Sequence, residues 1–208
     1  MQKSTIDIDF FNKILKNKTP DCIIKWALQI TSNRIVTTSF GIYSEVLLST
    51  ISKHDKDIKV IWCDTLFNKQ STYNHANKLT EKYNLNVKKY QASKTKEEVE
   101  NLFNWENLDD DNFTEFSNLV KIEPFKRALK EHNPNIWFTN IRVRQTEYRN
   151  KKDILSYSKN GILKISPFYY WSDKDLDDYV KTHKLNKNED YFDPVKALKN
   201  RECGIHFQ

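Results

Sequence analysis

Apolar residues recur along this chain in two alternating periods. Ile8, Phe11, Ile14 and Leu15 fall at helical spacing, and Thr19-Pro20 then offers an N-cap followed by proline at the first helical position. Ile23, Trp26, Ala27 and Ile30 continue at i, i+3, i+4, i+7, which predicts a second amphipathic helix. The pattern changes at Arg34. Ile35, Val36, Thr37 and Thr38 are β-branched and predict a buried strand, Ser39-Phe40-Gly41 breaks it, and Val46, Leu47 and Leu48 resume helical spacing towards Ile51. The alternation then repeats. Strands are expected over 58–65, 86–92, 135–141 and 161–167. Helices are expected over 71–83 and 94–105, around Phe125, Ala128 and Leu129, and over 172–183, where Ser172 and Asp175 form a capping box. Residues 106–112 read as a solvated acidic loop. Residues 184–208 are polar, lack strong periodicity and read as a mobile tail. Strand, helix, strand, helix at this spacing predicts an α/β domain: a parallel twisted sheet flanked by helices over 1–185, with 1–33 as a helical extension and 186–208 as the C-terminal tail.

Composition narrows the class. The 208 residues suffice for one well-buried domain, and 38% hydrophobic with 13% aromatic residues is compatible with a folded core. The net charge of +6 comes from 34 basic and 28 acidic residues spread along the chain, without a block of Lys/Arg, so nucleic acid is not an expected partner; a small polyanionic ligand or simply a solvated surface rich in Lys and Asn accounts for the surplus. No apolar run approaches membrane length, and the first residues lack the apolar core of a signal peptide, so a cytoplasmic protein is expected. Cys22, Cys63 and Cys203 include no CxxC pair, which argues against a disulfide framework and against an all-cysteine metal site.

The candidate chemistry lies at strand ends and in the tail. Ligands of parallel sheets bind beyond the carboxyl ends of the strands. There the turn Ser39-Phe40-Gly41, with Ser44 at the following helix start, suits an anion, although an ordinary strand-to-helix turn has the same form. Asp64 and Thr65 end the second strand, positioned either to hydrogen-bond a sugar or base or simply to cap a turn. Arg142, Arg144 and Arg149 follow the fourth strand and form either an anion clamp or a salt-bridged surface loop. Cys203 lies among Lys199, Arg201 and His206, neighbours that favour a thiolate; an inert exposed cysteine is the other reading. Three glycines (Gly41, Gly161, Gly204) are too few for a Walker loop or a GxGxxG fingerprint.

The segments SFGIYSEVLL (39–48), IKVIWCDT (58–65), VKIEPFKRAL (120–129), WFTNIRVRQTEYR (137–149), LKISP (163–167) and ECGIH (202–206) occur in the order seen in phosphoadenosine phosphosulfate reductases, and the chain resembles that family over most of its length after residue 30. The resemblance implies an adenine nucleotide α-hydrolase-like fold. It implies that Ser39, Phe40, Gly41 and Ser44 hold the nucleotide beside Asp64 and Thr65. Lys121, Arg142 and Arg149 match basic positions that bind phosphates and sulfate, with Arg201 as a further candidate. Cys203 matches the nucleophile and His206 its companion. The implied reaction reduces 3′-phosphoadenylyl sulfate through an S-sulfocysteine, with thioredoxin or glutaredoxin as reductant, no bound cofactor, and a homodimer as the assembly. Members acting on adenosine phosphosulfate carry Cys-Cys and Cys-x-x-Cys pairs for an iron–sulfur cluster, which this chain lacks. The stretch between the last helix and ECGIH is shorter than family members usually have, and Leu66 stands where they have glycine. Two other readings stay open at this point: an adenylating pyrophosphatase of the same fold, and a non-catalytic nucleotide-binding or redox module.

Overall fold

The computed structural model describes residues 6–197 and 204–207. Six strands form one sheet in the order β3-β2-β1-β4-β6-β5: β1 Arg34–Thr37, β2 Lys59–Cys63, β3 Asn86–Tyr90, β4 Ile136–Phe138, β5 Leu155–Tyr157 and β6 Leu163–Ile165. Ile35 pairs with Lys59 on one side and Trp137 on the other, and Trp137 pairs onward with Lys164. All neighbours are parallel except β5, an antiparallel edge strand beside β6 that the sequence pattern does not announce. Its outer edge is covered by Asn12 of α1 (Ile8–Leu15). The Asn12 Nδ2 donates to Leu155 O at 3.0 Å and its Oδ1 accepts from Leu155 N at 2.8 Å, which blunts an otherwise open ladder.

Alternate strand residues face opposite layers. Val36, Val60, Phe138 and Ile165 pack with Ile23, Ile24, Leu48 and Leu79 from α2 (Pro20–Leu28), α3 (Ser44–Ser52) and α4 (Gln70–Tyr83). Ile35, Ile61 and Trp137 face the other way, onto Phe125, Ala128 and Leu129 of α7 (Glu123–His132). Every residue of α3 is buried, serines and threonine included. That is tolerable because Ser49 and Thr50 donate to Val46 O, and Ser52 to Ser49 O, within the helix itself.

A third, smaller cluster gathers Phe67, Val99 of α5 (Lys96–Leu102), Phe116 of α6 (Asp110–Ser117), Val120 and Val195. The acidic stretch 106–112 is therefore not all loop. Asp109 accepts from Asn112 N at 2.8 Å and caps α6, a position where an acid also opposes the helix dipole favourably. Between α6 and α7 the chain widens into a π-helical turn, Asn118–Ile122. The short α8 (Glu147–Asn150) follows β4, and α9 (Asp173–Thr182) follows β6, its Ser172–Asp175 capping box present as expected.

Residues 186–195, expected as the start of a mobile tail, lie packed along the sheet's carboxyl edge. Asn186 N and Nδ2 donate to the buried Glu45 Oε2 at 2.6 and 3.1 Å. Asn188 Nδ2 donates to Phe40 O at 2.9 Å and Thr72 Oγ1 at 3.1 Å, and Val195 is fully buried. Polar side chains bonding to backbone hold this strap, so no apolar period marks it. It ends in α10 (Pro194–Ala197), and a 3-10 turn, Gly204–Phe207, follows at the C-terminus.

Candidate active site

Chain order reverses between β1 and β4, the switch point at which open α/β sheets bind ligands. A cavity of about 470 Å³ opens there, within the range of small-molecule sites. Its floor comes from the end of β1 and the start of α3: Thr37, Thr38, Ser39, Gly41, Ile42, Tyr43 and Ser44. Thr38 Oγ1 accepts from Phe40 N at 3.0 Å and shapes the turn. Phe40 has a left-handed φ of 50°, which a buried ring sustains by packing edge-on against Trp62. A Cβ on Gly41 would come within 3.2 Å of the Tyr191 ring, so any larger residue there would push the strap back by a few tenths of an ångström. Ser44 Oγ lies 3.3 Å from His75 Nε2, whose proton affinity is lowered chiefly by burial.

Three cations reach the cavity from three elements. Lys121 comes from the π-helical turn, Arg142 from the loop after β4, and Arg149 from α8. All three are buried. Gln145 organises the arginines, since its Oε1 accepts from both Arg142 N, at 2.9 Å, and Arg149 Nη1. Arg142 Nη2 meets Asp173 Oδ1 at 2.7 Å and its guanidinium lies over the Tyr43 ring. Lys121 Nζ is paired with Asp193 Oδ2 from the strap.

The far wall is the C-terminal turn. The His206 ring stacks on Trp137 with centroids 5.7 Å apart and planes 7° from parallel. Its carbonyl accepts from Tyr148 OH at 2.7 Å and Lys164 Nζ at 3.0 Å. Trp137 is itself fixed by donating to Thr37 Oγ1 at 2.8 Å. Gly204 rests on Ile122, where a Cβ would come within 2.6 Å of Ile122 Cδ1.

Of the residues expected at the site, Ser39, Gly41, Ser44, Lys121, Arg142, Arg149 and His206 line one cavity. Phe40, Asp64 and Thr65 do not. Phe40 points into the core. Asp64 is buried on the other side of β2, where it accepts from Leu66 N, Asn68 Nδ2, Tyr73 OH and Gln91 Nε2, and Thr65 Oγ1 accepts from Phe67 N. Cys203 and Arg201 lie outside the described residues. Gln145, Tyr191 and Asp173 line the cavity without having been singled out. The Arg-Val-Arg-Gln run carried a signal for Gln145; nothing local marked the other two. Cys63, at the end of β2 and packed against the core, also reaches the lining. Among the described residues no group of three or more His, Cys, Asp or Glu side chains could hold a metal ion, and no helix is long and apolar enough to cross a membrane.

Residues 33–195 match the family model of the phosphoadenosine phosphosulfate reductase domain. The chain belongs to this family. A phosphoadenosine 5′-phosphosulfate reductase of Synechococcus sp. is 33% identical over 177 residues, covering 84% of this chain and 76% of that protein. One from Vibrio vulnificus is 37% identical over 166 residues, covering 78% of this chain and 64% of the relative. The crystal structure of phosphoadenylyl-sulfate reductase from Candida auris, a phosphate complex, superposes with a TM-score of 0.75 at 27% identity over 88% of both chains. The adenine nucleotide α-hydrolase-like architecture expected from the motifs is thus the architecture of the chain, with one antiparallel strand added at the edge.

Proposed function

We propose that this protein reduces 3′-phosphoadenylyl sulfate to sulfite and adenosine 3′,5′-bisphosphate in assimilatory sulfate reduction, using a cytoplasmic thioredoxin- or glutaredoxin-type dithiol. One observation carries the reading. Lys121, Arg142 and Arg149 converge on the switch-point cavity that Ile205 and His206 also line, from the turn Gly204–Phe207, which in the sequence begins one residue after Cys203. A polyanionic nucleotide and a nucleophilic thiol are the partners such a pairing serves. The turn at Ser39 and Gly41, with Ser44 and the start of α3, receives the nucleotide; the arginine fork takes phosphate bidentately.

In the reaction proposed, the Cys203 thiolate attacks the sulfur of the sulfo group. The S–O bond to the adenylyl phosphate breaks, and adenosine 3′,5′-bisphosphate leaves with the bonding pair, its charge stabilised by the three cations. The enzyme holds an S-sulfocysteine. A thiolate of the reductant attacks Cys203 Sγ, sulfite departs with the electron pair, and a mixed disulfide forms. The second thiol of the reductant resolves it, restoring the Cys203 thiolate and leaving the reductant as a disulfide, two electrons in all. With three cysteines and neither a Cys-Cys nor a CxxC pair, the chain is suited to the 3′-phosphorylated substrate without an iron–sulfur cluster. The deciding experiment is thioredoxin-coupled sulfite release with both phosphosulfates. Turnover is expected with the 3′-phosphorylated one, and Cys203→Ser is expected to bind nucleotide normally and release no sulfite. Retained turnover in that variant assigns the nucleophile elsewhere.

A further inference from the structure

We propose that Asp193 holds, on Lys121, the place that an anionic oxygen of the nucleotide takes, and thereby sets the affinity of the site. The inference rests on the proposed function in one respect, that Lys121 meets the substrate. The Lys121 and Asp193 side chains are only 4% and 3% exposed, and Lys121 lines the cavity. Asp193 Oδ2 meets Lys121 Nζ and also accepts from Tyr191 OH at 3.0 Å, while Oδ1 accepts from Val195 N at 3.0 Å. The carboxylate is thus built into the strap and delivered to a cation 72 positions earlier in the chain. A phosphate oxygen reaching the same ammonium would lie within a few ångströms of this carboxylate. Burial leaves little water or salt to screen the two like charges, so one must yield. The same arrangement recurs at Arg142 with Asp173, but that aspartate is 74% exposed, and an exposed pair contributes little. The two acids therefore differ in weight: Asp193 opposes the incoming anion strongly and Asp173 weakly.

The test is calorimetric titration of the full chain with adenosine 3′,5′-bisphosphate. Asp193→Asn removes the charge, keeps a carbonyl oxygen at the Oδ1 position for Val195 N, and places its amide nitrogen at the Oδ2 position, where it can donate to the Tyr191 oxygen; it is expected to bind about tenfold more tightly than the wild type, as loss of one poorly screened like charge implies. Asp173→Asn is expected to gain less than about threefold. Lys121→Met and Lys121→Met/Asp193→Asn are expected to differ by less than the wild type and Asp193→Asn do, because without the ammonium there is no shared place to compete for and only the direct repulsion is left. A merely structural Asp193 would give the opposite sign. Equal or weaker binding by Asp193→Asn overturns the inference, as does a gain that is just as large without Lys121. If Asp193→Asn fails to fold, amide exchange in the wild type decides. Bisphosphate is expected to accelerate exchange at Val195, whose N–H donates to Asp193; unchanged or slower exchange overturns the inference. Failure of the wild type to bind bisphosphate at all would remove the proposed function and this inference with it, whereas binding without a gain in the variant removes this inference alone.

Discussion

Asp64 illustrates how a side chain at a promising address is engaged elsewhere. It stands at the carboxyl end of β2, the edge where nucleotide ligands sit, yet both carboxylate oxygens are occupied inside the chain. Oδ1 accepts from Leu66 N at 3.1 Å, Asn68 Nδ2 at 2.9 Å and Tyr73 OH at 2.9 Å, and Oδ2 from Gln91 Nε2 at 2.8 Å. Burial, reinforced by the Asp64 charge, raises the Tyr73 hydroxyl well above its usual range, so it stays a donor. Asp64→Ala would leave these donors without their acceptor, at a cost of about 3 kcal/mol. The melting temperature is expected to fall by about 6–12 °C, with the affinity for adenosine 3′,5′-bisphosphate unchanged well below the melt. A folded variant that loses binding would instead make Asp64 a nucleotide contact. At this scale the sequence exposes residues whose place follows from the fold alone. Ser39, Gly41, Ser44, Arg142 and Arg149 follow strand ends, and strand ends at a switch point converge. It does not expose where a carboxylate points, which is why Asp64 and Thr65 read as site residues. Nor does it expose Tyr191 and Asp193, because the site residues they meet, Gly41 and Lys121, lie far away in the chain.

The C-terminal turn and the π-helical turn are two short elements that fit each other. Gly204 lies on Ile122, and a methyl added at residue 204 would meet Ile122 Cδ1 at 2.6 Å and Cγ1 at 3.1 Å, so the end of the Ile122 side chain must move to admit it. Gly204→Ala is accordingly expected to lower kcat for sulfite release by less than about tenfold, short of the loss that a full displacement of about 1 Å would bring, because the Ile122 side chain takes up most of the shift, with nucleotide affinity little changed. Ile122→Ala in the same chain opens the space and is expected to restore most of the rate. A variant pair in which both changes simply add would assign the loss to something other than this contact. Neither element was legible in advance. A π-helical turn has no period of its own, and four residues are too few to show one. β5 escaped for the same reason: Leu155, Ser156 and Tyr157 make a single alternation, and the strand is held by Asn12 from α1 and by its pairing with β6. α6 escaped because its capping acid, Asp109, lies in a run of acids that looks solvated. The longer strands and helices were legible because each buries one continuous face, and that requirement writes a period into the sequence.

Across the whole molecule, the sheet is clamped between layers that each bury a histidine. His75 of α4, beside Ser44, belongs to one layer; His132 at the end of α7, whose Nε2 lies 2.9 Å from Tyr90 OH, belongs to the other. Burial holds both imidazoles below their usual 6.5. For His75 Lys78 adds to the effect and Glu45 opposes it; for His132 Lys59 and Lys88 add and Glu131 opposes. The sign follows from linkage. Below pH 6.5 the unfolded chain takes up protons that the folded imidazoles resist, so protonation favours unfolding and stability falls as the pH drops towards the folded values. Above 6.5 both states are neutral at these positions and the full stability is present. The buried Glu45 works in a different window. Burial raises its carboxyl pKa, but hydrogen bonds from Lys82, Tyr83 and Asn186 outweigh burial and leave it lowered, so its contribution persists until the pH falls below its unfolded value of 4.5. Acid destabilisation should therefore come in two stages, the histidines first and the carboxylate after. Urea midpoints measured from about pH 7.5 to about pH 5 are expected to decline in the wild type and to flatten in His75→Gln/His132→Gln, with both chains declining together at lower pH. A wild-type midpoint that stays constant down to about pH 5 would mean that the two imidazoles take up their protons in the folded chain as readily as in water.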